Sequence, residues 1–173
     1  MSEELNIDLT GPAPGLPKTA PTDVDREAAV RQYLEITFAL PPSATEWLLA
    51  LWRSAQFFDD LADGDPVSRS RLDRSIWDLL ISMPANPFFA QYAGQLLTLI
   101  SVAVLKWQAS DRVERAGGAN ARTFTWRDGY FEIVLAAIEI VHGRERATDL
   151  GPVVLAIYGE NFDAYMKEHA AHA

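Results

Sequence analysis

The chain contains no cysteine, which excludes disulfides, thiolate zinc sites, iron–sulfur clusters and thiol nucleophiles. Basic residues are scarce: 15 Lys and Arg stand against 24 Asp and Glu, a formal net charge of −9. That balance argues against a nucleic-acid partner and against docking on anionic lipid, since both need a basic surface. A phosphate ligand stays open, because a bound metal ion can invert the local sign. Residues 1–9 carry neither the basic region nor the apolar run of a signal peptide, so a cytoplasmic location is expected. No P-loop, dinucleotide fingerprint or nucleophile-elbow string occurs. The longest low-charge stretch, residues 86–105, is interrupted by Gln91, Gly94 and Gln95. It reads as a buried helix, and no integral membrane segment is expected.

What is present suits one globular domain: 173 residues, 49% hydrophobic and 23% charged. Residues 1–21 hold Pro12, Pro14, Pro17 and Pro21, which deny helix and ladder alike and predict a flexible, Pro-rich arm. Residues 22–173 form the all-α domain, a single bundle of about six helices. The first spans 22–40 and stops at Pro41-Pro42. Ser43 and Glu46 have capping-box spacing and open the second, which ends at the Asp63-Gly64-Asp65-Pro66 turn. Asp65 as cap and Pro66 as first residue start the third, to about residue 82. The fourth covers 87–115 and is apolar nearly all round in its first half, which predicts a central position. The fifth runs over 125–142 and the sixth over 148–169.

The segment with most chemistry is Asp59-Asp60-Leu61-Ala62-Asp63. On a helix, Asp59 and Asp63 share a face with Asp60 beside them, a spacing at which carboxylates hold Mg²⁺ by one oxygen each. The metal would then neutralise a departing diphosphate. The plain alternative is a solvated helix end running into a turn. Trp52, Phe57, Phe58, Trp107 and Trp126 could line a dry cavity with aromatic faces, or be ordinary core.

Residues 49–65, with Arg53 ahead of Asp59-Asp60-Leu61-Ala62-Asp63-Gly64, resemble the first aspartate-rich motif of the squalene/phytoene synthase family of class I isoprenoid synthases. Arg71-Leu72-Asp73 and Trp77-Asp78-Leu79-Leu80 are similar to the helix that follows it, and Thr125 to Tyr130 faintly to a later one. The resemblance implies an isoprenoid-synthase-like bundle in which Asp59, Asp60 and Asp63 are magnesium ligands. It places Arg53, Trp52 and Phe57 beside a prenyl diphosphate, and singles out no catalytic residue. The family's second acidic motif would fall on the last helix, where Glu160 and Glu168 flank Ala164.

Other residues have local readings. His142 suits a helix-terminal carbonyl, and His169 with His172 lack a third metal ligand nearby in sequence. The arginines at 112, 115, 122, 127, 144 and 146 form a mixed-charge surface or an anion-binding rim. Two functions follow. One is a prenyl-diphosphate-using transferase or synthase, or a degenerate relative of one. The other is a non-catalytic helical interaction or assembly protein, of a phage or prophage for example, with a protein partner or a second copy of itself.

Overall fold

The structure, a computed structural model, describes residues 23–157 and 161–171. The Pro-rich arm, Glu160 and His172 lie outside the described residues, as does the side chain of Glu168. Among the described residues there are helices and no strands, as the periodicity predicts.

The described residues begin with α1 (Asp23–Gln32), which widens into a π-helical turn over Tyr33–Thr37. Next come α2 (Pro42–Asp63) and α3 (Arg69–Trp77), the latter widening in the same way over Asp78–Ser82. The long α4 (Pro87–Arg115) is followed by the short α5 (Ala121–Trp126), then α6 (Tyr130–His142), α7 (Arg144–Ala156) and α8 (Phe162–Ala171).

Where about six helices were expected, eight helical segments stand among the described residues, because two expected helices are each broken. Residues 125–142 split into α5 and α6 at Arg127–Gly129, where α4 passes too close for any larger residue. A Cβ on Gly129 would lie 2.4 Å from the Ala103 Cβ. The stretch 148–169 likewise gives two helices, and α7 starts directly after Gly143, whose φ of 85° turns the chain out of α6.

Two caps also differ from expectation. The α2 N-cap is Pro41, with Pro42 inside the first turn and no side-chain bond. The Ser43–Glu46 box is not formed because Glu46 is engaged by Arg31, 2.5 Å away. That hydrogen bond holds the Glu46 carboxyl below its ordinary range. The α3 cap is Ser68, whose hydroxyl accepts from the Arg71 N–H, and neither Asp65 nor Pro66 begins the helix. Other ends follow the sequence. Gly64 ends α2 in the left-handed region, and Asn86 caps α4 by accepting from the N–H groups of Phe88 and Phe89.

The largest correction concerns which helix is central. It is α2: Ala44, Trp47, Leu48, Leu49 and Ala50 are all buried, and α2 meets α1, α3, both π turns, α4 and α6. Its Trp47 ring stacks on Phe89, with centroids 5.5 Å apart. The core continues through Leu34 and Phe38, through Ile133, Val134, Ala137 and Ile138 of α6, and through Leu150 and Val154 of α7. The expected buried helix, α4, lies on the flank, and only 11% of its apolar stretch is buried. By length and composition it is the one helix among the described residues apolar enough to cross a membrane. Composition alone could not separate a core helix from an uncovered one, since both lack charge.

The close pass at Gly129 gives a direct test. Gly129→Ala should destabilise the fold by about 1–3 kcal/mol in urea unfolding, through overpacking against Ala103. Gly151→Ala, in α7 with open space around it, should stabilise by about 0.5–1 kcal/mol.

Candidate functional site

The acidic residues occupy the last turns of α2, which is carried to that point by its buried first half. Asp59 and Asp60 are adjacent in sequence, so their side chains leave the helix about 100° apart. Each meets a different arginine. The Asp59 carboxylate accepts from Arg127 Nη2 at 2.9 Å and from the Trp107 indole Nε1 at 3.2 Å. Asp60 is held by Arg71 of α3 in a close ion pair. Asp63 lies one turn further on, at the exposed end of the helix.

Arg127, the residue that closes α5, is largely buried and serves more than Asp59. Its Nη1 is 3.7 Å from the carboxylate of Glu114, which is only 7% exposed. Its guanidinium sits over the ring of Tyr165, 5.7 Å from the centroid. The Tyr165 hydroxyl donates to Glu114 Oε1 at 2.5 Å and shares a 2.6 Å hydrogen bond with Thr123 Oγ1. Burial, and after it the bond to Glu114, pushes the Tyr165 phenol up to about 12. The result is one polar seam through the ends of α2, α4, α5 and α8.

Arg53, expected beside a diphosphate, is instead a second tie between helices. Its Nε donates to Asp78 at 2.9 Å and its Nη1 to Glu27 at 3.0 Å. Burial works against its charge, but the bonds to Asp78 and Glu27 outweigh it and hold the guanidinium above its ordinary value. Arg53 and Trp52 do share a cleft, of about 240 Å³, with Glu27, Gln56, Arg71 and Arg74. Its cations are matched: Arg53 by Glu27 and Asp78, Arg71 by Asp60, with Arg74 at 3.8 Å from Glu27.

The aromatic residues do not assemble as one wall. Phe57 is buried edge-on against Phe58, and neither lines that cleft. Trp126 is half exposed, and Trp107 is the donor to Asp59. His142, expected to serve a helix-terminal carbonyl, does so across the fold, 2.9 Å from the carbonyl oxygen of Phe38. Arg127 turns inward into the seam, away from the expected arginine rim, and Arg115 bonds Asp111 on its own helix.

Magnesium needs carboxylates converging on one point with oxygens to spare. Among the described residues no group of three or more His, Asp or Glu is placed to hold a metal. The Asp59 and Asp60 carboxylates face separate guanidinium groups, which compete with any cation. Comparison of the chain with protein-family models, curated proteins and solved structures returned no match.

Glu114, Thr123 and Tyr165 are functional in holding the site together, and sequence gave no sign of them. Their partners lie 42 and 51 residues away along the chain, beyond any helical spacing. Tyr165→Phe should leave the buried Glu114 carboxylate short of a donor and destabilise the fold by about 1–3 kcal/mol. The phenol is raised in the folded state from its ordinary 10.0. Its stabilising contribution is therefore complete below pH 10 and lost as pH rises towards about 12. Wild type should lose more stability than Tyr165→Phe over that window in alkaline urea titrations.

Proposed function

We propose that this chain is a non-catalytic helical interaction protein whose acidic helix end is a structural joint. The observation that carries this reading is the pairing of Asp59 with Arg127 and of Asp60 with Arg71, arginines from two other parts of the fold. A metal at Asp59 would have to compete with Arg127, which also neighbours Glu114, the carboxylate that Tyr165 bonds. Asp59 is one-third exposed, so breaking this pair costs less than breaking a fully buried one. Binding would have to overcome that before any affinity appeared.

The competing reading is a magnesium-dependent site for a prenyl diphosphate. Its support is the meeting of Trp52, Arg53, Arg71 and Arg74 in one cleft beside Asp60. The matched carboxylates weaken it, because three arginines facing Glu27, Asp60 and Asp78 leave no excess positive charge for a diphosphate.

Thermal unfolding with Mg²⁺ and inorganic or prenyl diphosphate separates the two. The structural reading expects a midpoint that up to millimolar ligand does not move, in wild type and in Asp63→Ala. A rise in wild type that Asp63→Ala or Asp59→Ala removes would replace it by the diphosphate reading. Ligand at about 100 times its Kd adds about 2.7 kcal/mol of stability, enough to move the midpoint by several degrees.

A further inference from the structure

The outward side of α3 and of its π turn carries Leu72, Ile76, Trp77, Leu80 and Ile81, exposed by 37, 48, 63, 68 and 47%. Leu72, Ile76 and Leu80 succeed one another at i+4 spacing with Trp77 and Ile81 alongside, which makes one continuous apolar stripe. Asp73 borders it and is paired with Arg69 of the same helix. The opposite side of α3 is fixed: Ser75 and Asp78 are buried, and Asp78 is bonded by Arg53 of α2. The stripe therefore cannot turn inward, and it stays in water unless another segment covers it.

We propose that the chain's own segment Pro12-Ala13-Pro14-Gly15-Leu16-Pro17 docks on the Trp77 stripe. Attachment, reach and chemistry name this occupant. The described residues begin at Asp23, about one helical turn before Glu27. Glu27 lies 3.0 Å from Arg53 and 3.8 Å from Arg74 of α3, so the preceding segment joins the bundle beside α3. The flank of α4 is further off, since α4 packs chiefly on α2, α5 and α6, and α1 on α2. With helix axes about 10 Å apart and 1.5 Å of rise per residue, Asp23 and Trp77 are on the order of 15 Å apart. Residues 18–22 reach up to about 17 Å when extended. Residues 12–17 in a polyproline helix then cover about 19 Å, against roughly 14 Å from Leu72 to Ile81.

Pro-rich segments dock on exposed aromatic side chains because their fixed φ leaves little conformational entropy to lose. Residues 12–17 carry no charge, as contact with an apolar stripe requires. Tethering decides between this occupant and a second copy of the chain. A linker of a few residues holds the segment at an effective concentration in the millimolar range, about a thousandfold above protein at about 1 μM. Even a weak contact is then made within one molecule before it is made between two. It stands whether or not α2 binds a ligand.

Lys18 directly follows the segment, so docking shields the next peptide bond from trypsin. Cleavage there is followed by mass spectrometry on the full chain under native conditions. It should be about fivefold slower in wild type than in Trp77→Ser, since cleavage tracks the undocked population. The wild-type rate constant should not change from about 1 to about 100 μM protein. Pro12→Ser/Pro14→Ser, which alters nothing in the described helices, should speed cleavage as Trp77→Ser does. Leu155→Ser, at a position 76% exposed on α7, should be cleaved like wild type. Circular dichroism checks that each variant is folded. Equal rates in wild type and Trp77→Ser overturn the proposal, as does shielding that survives Pro12→Ser/Pro14→Ser or is lost in Leu155→Ser. Shielding that grows with protein concentration overturns it in favour of a second copy.

Discussion

The guanidinium of Arg127 is the interaction on which the end of this bundle depends. It lies between Asp59 of α2 and Glu114 of α4, and under it is the ring of Tyr165 from α8. Three elements distant in sequence are thereby fixed to the residue that closes α5. A charge this buried is stable only when paired and hydrogen-bonded, and each neighbour meets that condition for the others: Trp107 on Asp59, Tyr165 on Glu114, Thr123 on Tyr165. Arg53 does similar work at the other side of α2, joining Glu27 and Asp78. Two members of the acidic string that suggests a ligand set, Asp59 and Asp60, are each paired with an arginine in the folded chain.

The local features were legible in the sequence and the long-range ones were not. Pro42, Gly64 and Asn86-Pro87 act within a few residues, so they mark the ends of α2 and the start of α4 correctly. The same local logic failed where a distant residue competed. Glu46 has the spacing of a capping box, but Arg31 takes it. Gly129 reads as part of a helix, but the helix is interrupted there, where Ala103 comes too close for a Cβ. Asp59 and Asp63 do share a helix, as their spacing implies, yet nothing in that spacing reveals Arg127, 68 residues further on.

The exchange of roles between α2 and α4 has the same origin. An uncharged helix is compatible with a core and with an uncovered surface, and only the contacts decide. Here α2 carries Trp47, Leu48 and Leu49 into the centre, and α4 keeps Leu97 and Leu105 outside. The apolar content that first suggested a buried helix lies instead on the flank of the bundle.

The central claim is that Asp59 is a structural partner of Arg127, and a double-mutant cycle measures it. Asp59→Asn, Arg127→Met and the double variant are unfolded in urea, and their coupling is compared with wild type. The account predicts a favourable coupling of about 1–3 kcal/mol, as for groups in one salt-bridge network. Additive effects, with a coupling near zero, would contradict it and return the Asp59 carboxylate to the pool of groups available to a ligand.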